Sequence, residues 1–211
     1  MTAGPVGDTH FYEPSAGHRL PHDPFKAIVA PRPIGWISTV DPDGRPNLAP
    51  YSYFNAVCDV PPMILFSSNG RKDTLRNAEA TGCFVWNLAT RPLAERMNET
   101  AAPVAPDVDE FFRAGLTATP SRLVPAPRVA ESPAALECRV LQVIPLADLD
   151  GASADHFMVV GQVVGVHIDP AYLRDGLFDT AAAQPILRAG YRGDYATIKA
   201  ATMFEMIRPT S

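Results

Sequence analysis

The sequence predicts a mainly β protein with short helices, closed or nearly closed as an antiparallel barrel. Three observations carry this expectation. Runs of β-branched and aromatic residues recur along the chain, bounded by proline and glycine turns. The helix signals are short. Strands and helices do not alternate regularly, which disfavours a doubly wound parallel sheet. At 211 residues, 46% hydrophobic and 19% charged, the chain has ample material for one globular domain.

The elements follow in order. Residues 1–23 are rich in Gly, Pro and His without periodicity, and read as an arm over the surface or a partner, ahead of a domain over 24–211. Ile34 to Val40 is a strand ending at D-P-D-G, where Asp41, Pro42, Asp43 and Gly44 suit a type I turn. A second strand from about Asn47 to Val57 completes a hairpin, and Pro50 inside it implies an edge position or a bulge. Pro61-Pro62 precedes a third strand, Met63 to Phe66. Asp73 or Thr74 caps a short helix that Gly82 stops. Cys83 to Leu88 is a strand, Thr90 before Pro92 starts a helix, and another helix spans Asp107 to Arg113, ending at Gly115. Pro120, Pro125, Pro127 and Pro133 keep the next segment extended and looped. Ala135 to Ile144 and Phe157 to Ile168 are the last strands. Within the latter, V-V-G-Q-V-V-G-V-H-I is β-branched and punctuated by glycine, so strand outweighs helix despite the G-x-x-x-G spacing.

Charge and composition exclude several function classes. A net charge of −5 gives no broad attraction for nucleic acid or anionic lipid, so any positive site is local. No run approaches the roughly 20 apolar residues of a spanning helix, and M-T-A-G-P-V-G-D lacks a charged start and an apolar stretch. A soluble cytoplasmic protein is the expectation. Cys58, Cys83 and Cys138 are far apart beside apolar residues and read as buried free thiols. His18 and His22 have helical spacing, but Pro21 between them makes them loop residues, and no metal pattern emerges.

The chemistry concentrates in I-L-F-S-S-N-G-R-K-D-T-L-R-N, from Ile64 to Asn77. Ser67 and Ser68 stand where the third strand ends, with hydroxyls able to donate to phosphate oxygens. Asn69-Gly70 turns the chain so that backbone N–H groups can converge on an anion. Arg71 supplies a planar fork and Lys72 a point charge, and Asp73-Thr74 opens a helix whose N-terminus is partly positive. The same residues also make an ordinary solvated turn with two basic side chains. Neither G-x-x-x-x-G-K nor G-x-G-x-x-G is present, so a phosphate held here belongs to another scaffold. Arg32 and Trp36 lie in P-R-P-I-G-W-I-S-T-V, where a strand tryptophan reads as core or as a flank for a planar ring. N-L-A-P-Y-S-Y-F-N-A-V mixes Ser52 and Asn55 with aromatics, which fits a ligand wall or an aromatic dimer face.

Together these stretches resemble the flavin reductase-like family of FMN-binding split barrels, in its flavoredoxin-like branch. V-A-E-S-P-A-A-L-E-C at Val129 to Cys138, H-F-M-V-V-G-Q-V-V-G-V-H-I-D from His156, and Arg208-Pro209 extend the similarity over nearly everything from Pro24 onward. The resemblance implies a homodimer of six-stranded antiparallel split β-barrels holding FMN non-covalently near the subunit interface. It implies that Ser52, Ser67, Ser68, Arg71, Lys72 and Thr74 contact the ribityl phosphate. The backbone from Tyr53 through Phe54 and Asn55 to Ala56 then runs along the isoalloxazine, with Arg32 and Trp36 nearby.

The activity so implied is hydride transfer from NADH or NADPH to flavin, which depends on ring stacking more than on acid–base groups. Reduced flavin would pass to an oxygenase or another electron acceptor. Similar reductases carry a histidine in D-H-x-x-x-x-G, a spacing matched by Asp155-His156 through Gly161, which makes His156 the catalytic candidate. The plainer reading is a strand-end histidine facing solvent or the partner. His167, inside an apolar strand, reads as structural. Glu137, Tyr191 and Tyr195 read as dimer or rim supports without chemistry. Two other functions stay open: a non-catalytic FMN electron carrier resembling flavoredoxin, and an oxidase acting on a pyridoxine phosphate.

Overall fold

A computed structural model describes residues 9–209, so residues 1–8 of the expected arm lie outside the described residues. The arm from residue 9 to 23 is mostly exposed and contains only a short 3-10 turn, Pro14–Ala16.

Seven strands form the main sheet: β1 Gly35–Val40, β2 Pro46–Tyr51, β3 Phe54–Asp59, β4 Pro62–Asn69, β5 Cys83–Asn87, β6 Ala134–Ala147 and β7 Ser153–Ile168. Their order is β2-β1-β5-β6-β7-β4-β3, and every neighbour is antiparallel. The seventh strand arises because the stretch expected as one strand from Asn47 to Val57 breaks at Ser52-Tyr53 into β2 and β3. Those two pieces then occupy opposite ends of the sheet. A two-residue link between the outermost strands forces the sheet to curl on itself. The Ser67 N–H donates to the Tyr53 carbonyl at 2.9 Å across the join, and the Tyr51 and Phe66 rings meet at 4.9 Å. Ile37, Tyr51, Ile64, Phe66, Leu75, Phe84, Cys138, Val159 and Val163 fill the interior. The architecture is thus a nearly closed, mainly β split barrel with short helices.

Local chemistry explains the details. Gly44, at φ +86, donates to the Asp41 carbonyl and closes the β1–β2 hairpin. Pro50 sits on an edge strand, where its missing N–H costs no ladder bond. Along β4 the buried positions are Ile64, Phe66 and Ser68, a period of two that turns this side into the barrel. β4 therefore continues through both serines to Asn69, three residues beyond the expected end. Helix α1, Asp73–Thr81, buries Leu75 and Ala78 and stops at Gly82, whose φ of +67 suits glycine. Its N-cap is Lys72, with no side-chain capping bond, instead of Asp73 or Thr74.

A second apolar layer covers the outside of β1 and β2. Ile34, Trp36, Leu48, Leu93, Met97, Phe111 and Ile186 pack there, beneath α2, Ala94–Glu99, and α3, Glu110–Arg113. This layer corrects one expectation. Trp36 has no accessible surface, so its indole cannot lie against a cofactor; its Nε1–H donates to Thr100 Oγ1 at 3.0 Å inside the core. The proline-rich segment is looped as expected and buries Val124 and Ala126 against Val40, Cys83 and Val85. A separate three-stranded sheet joins Arg32–Pro33, Ile186–Arg188 and Tyr195–Thr197. Cys83 and Cys138 are buried free thiols and Cys58 is half-buried. Burial pushes the Cys138 thiol well above its ordinary range. Among the described residues no helix is long and apolar enough to cross a membrane, and no His/Cys/Asp/Glu group has the form of a metal site.

Candidate functional site

Where the sheet curls shut, a cavity of about 550 Å³ opens between the Ser52-Tyr53 bend, the Asn69–Lys72 turn, and a loop through Thr100 to Val104. It gathers Ser52, Tyr53, Ser67, Arg71, Lys72 and Thr74 from the residues singled out in the sequence. The turn is held from two sides. Gly70, at φ +74, donates its N–H to the Asp155 carbonyl at 2.8 Å, and Ser68 Oγ donates to the Gly70 carbonyl at 2.9 Å. Ser68 has no accessible surface, so its hydroxyl shapes the turn and does not reach the cavity.

The donors around this cavity are only partly matched. Arg71 pairs with Glu79 and sits 5.2 Å over the Phe157 ring; Arg76 pairs with Asp73. Lys72 makes no salt bridge among the described residues. The first-turn N–H groups of α1 face the same region without a capping side chain. Thr74 is nearly inaccessible and accepts from Asn47 Nδ2 at 2.9 Å, while Asn47 and Asn77 both reach Thr39 Oγ1 at 3.2 Å. Burial raises the Tyr51 phenol pKa, against the lowering effect of hydrogen bonds with Thr74 and Ser68.

Sequence reasoning missed the far wall. Glu110 lines the cavity and accepts the Leu48 N–H at 3.2 Å. Its carboxyl pKa is raised, first by burial and further by Asp73 and Asp109. Thr100 lines it too, held by Trp36 and donating to the Met97 carbonyl at 2.7 Å. No local signal marks these residues, because packing of α2 and α3 on β2 brings them there.

Other expected contacts lie elsewhere. Phe54, Asn55 and Ala56 are on edge strand β3 and do not line the cavity. Phe54 stacks on Trp86 with centroids 5.6 Å apart and planes 4° off parallel, and the exposed Asn55 accepts the Ala56 N–H at 2.9 Å. His156 stands opposite Asn69 in the β7–β4 register, beside the turn, with Nδ1 2.9 Å from the Ala154 carbonyl. Arg32 lies outside the cavity, buried on the small sheet, with Nη1 donating to the Lys26 and Val29 carbonyls.

A second polar centre went unread as such. Glu137 is fully buried, and its Oε1 accepts the Arg122 N–H at 2.8 Å and lies 2.5 Å from His167 Nε2. Its Oε2 accepts the Leu123 and Val124 N–H groups at 2.6 and 3.1 Å. Burial pushes this carboxyl pKa up, but His167 and the backbone donors together bring it below the ordinary value. His167 pairs with Glu137, and Glu137, buried within the protomer instead of supporting a dimer face or rim as expected, pins the proline-rich loop to the barrel.

The comparisons agree with this architecture. Residues 29–185 match the family model described as "Flavin reductase like domain". An uncharacterised protein of Halalkalibacterium halodurans is 36% identical over 188 residues, covering 86% of this chain and 88% of that one. Nitrilotriacetate monooxygenase component B from Bacillus cereus is 30% identical, with a TM-score of 0.81 and 98% of each chain covered. Flavoredoxin of Desulfovibrio vulgaris (Miyazaki F) is 25% identical at a TM-score of 0.73, covering 86% of this chain and 91% of that one. With its split barrel and a family match over most of its length, this chain belongs to the flavin reductase-like domain family.

Proposed function

We propose that the chain is an FMN-binding oxidoreductase that moves hydride from NADH or NADPH to flavin, acting as a homodimer. One observation carries the reading: the cavity beside α1 gathers donors without partners, Lys72 outside any salt bridge among the described residues and a helix start with no capping side chain. Ser67, Lys72 and the uncapped N–H groups of α1 suit a phosphate, and the Arg71 ion pair is exposed and exchangeable. The volume of about 550 Å³ lies within the usual range for ligand sites. FMN, when bound, supplies the ring that accepts hydride. The chain's own work is positional: Ser52, Ser67, Arg71, Lys72 and Thr74 fix the phosphate end, and Tyr53, of the segment expected along the ring, is the residue that lines the cavity beside it. Family membership supports the oxidoreductase class.

His156, beside the phosphate turn, is the residue proposed to orient the nicotinamide. Homodimer formation draws support from Met203, Phe204, Met206 and Ile207, four exposed apolar side chains near the end of the described chain. The similarity to a monooxygenase component suggests that reduced flavin is passed to an oxygenase. The similarity to flavoredoxin supports the alternative, an FMN electron carrier without nicotinamide turnover.

Anaerobic addition of NADH or NADPH to the FMN-loaded protein separates the two. Rapid loss of the yellow absorbance is expected with at least one donor, and no loss with either leaves the carrier. His156→Ala is expected to slow that bleaching about tenfold while FMN stays bound, by analogy with other positioning losses. Unchanged turnover would make His156 a strand-end residue only.

A further inference from the structure

Five buried side-chain polar atoms lack a hydrogen-bond partner among the described residues: Arg32 Nε and Nη2, Arg128 Nε, Arg188 Nε and Thr197 Oγ1. Four of these five belong to the small three-stranded sheet. Arg32 stands directly opposite Arg188, Arg188 opposite Tyr195, and Ile186 opposite Thr197. Directly paired and alternate residues share a sheet face, so these four unmatched groups lie on one side. Ile186 packs into the core around Trp36, which turns that side toward the body of the protein.

Two like charges across a strand pair repel, and a guanidinium as buried as Arg32, at 6% exposure, loses most of its hydration. Neither arginine has a carboxylate partner among the described residues. Two nearby acids are already engaged by backbone: Asp23 accepts the Phe25 N–H at 2.9 Å and Asp194 the Tyr191 N–H at 3.0 Å. The arginines are nonetheless held firmly. Arg32 Nη1 bonds the Lys26 and Val29 carbonyls, Arg188 Nη2 reaches the Tyr191 carbonyl at 3.4 Å, and the Arg188 guanidinium lies 4.7 Å over the Tyr195 ring. A cavity of about 370 Å³ is lined by His22, Asp23, Lys26, Tyr191 and Arg192, and two of these residues, Lys26 and Tyr191, are the ones whose carbonyls accept from the arginines. The His22 and Tyr191 rings, 6.1 Å apart, give it an aromatic wall.

We propose that Arg32 and Arg188 form an oxyanion site for a carboxylate or phosphate group of a small ligand, separate from the cavity at α1. An oxyanion bridging the pair removes the repulsion and accepts the free guanidinium donors in the geometry arginine favours.

The test uses the full chain carrying Arg71→Ala and Lys72→Ala, so that phosphate has no purchase at α1. Thermal unfolding is followed at constant ionic strength with sodium benzoate or inorganic phosphate replacing chloride. A saturable rise in Tm is expected with at least one, about 5–10 °C at a hundred times the dissociation constant. Benzoate alone assigns a carboxylate and phosphate alone a phosphate; a rise with both means that the site reads charge. Adding Arg188→Gln is expected to weaken the responsive anion about tenfold or more. Arg188→Lys, which keeps the charge and loses the fork, should weaken it too and serves if the glutamine variant does not fold. No saturable rise with either anion, or a rise that the Arg188 variants retain in full, overturns the site.

Discussion

Glu137 and the start of α1 are both ringed by hydrogen-bond donors, yet only the first ring contains its acceptor. Around Glu137, three backbone N–H groups and His167 converge on one fully buried carboxylate. Around α1, Lys72, Ser67 and uncapped N–H groups surround open space; Glu79 and Asp73 form exposed ion pairs worth about 0–1 kcal/mol each, and Glu110 is engaged by the Leu48 N–H. A closed polar network holds a fold together, whereas one with surplus donors is arranged for something that arrives later. The same distinction separates Glu137 from the Arg32–Arg188 pair.

The largest effect should come from breaking the closed ring. Glu137→Leu strands its donors and is expected to cost about 3–5 kcal/mol in urea unfolding, with FMN affinity of the folded protein unchanged. A loss under about 1 kcal/mol would mean that the ring contributes little to the fold. The open ring should respond the other way round. Arg71→Ala with Lys72→Ala should weaken FMN binding by about 1.5–3 kcal/mol per charge-assisted contact, with unfolding free energy within about 0.5 kcal/mol of wild type. Wild-type affinity in a flavin titration would remove these side chains from the phosphate site.

The smallest effect sharpens the comparison at Glu110, an acid beside the open ring. Burial raises its pKa, so the stability tied to its neutral form is complete below the unfolded carboxylate pKa and is lost as pH rises through the raised one. Glu110→Gln, which keeps an acceptor for the Leu48 N–H, should therefore gain on wild type between pH 4 and pH 8. An equal difference at both ends would show that Glu110 titrates normally.

Much of the fold was legible because local chemistry decides it. The D-P-D-G turn, the edge position of Pro50 and the stop at Gly82 each follow from residue type and backbone preference. The split of β2 from β3 was not legible, since N-L-A-P-Y-S-Y-F-N-A-V is evenly suited to a strand and the break is imposed by closure of the sheet. The site divided along the same line. Ser67, Arg71, Lys72 and Thr74 are neighbours in sequence and could be read together. Glu110, Thr100 and the Glu137–His167 contact join residues far apart in the chain, and Trp36 gave no sign of which side of β1 it would take.

Gly35 governs a surface it never touches. A Cβ there would fall 2.8 Å from the Phe54 ring, which lies flat on Trp86 immediately after the Ser52-Tyr53 bend. Any side chain at 35 must push that ring, and with it the bend that walls the cavity. Descendants of this sequence can thus vary the rim at Ala101 to Val104 one substitution at a time, while the opposite wall changes only when several core residues change together.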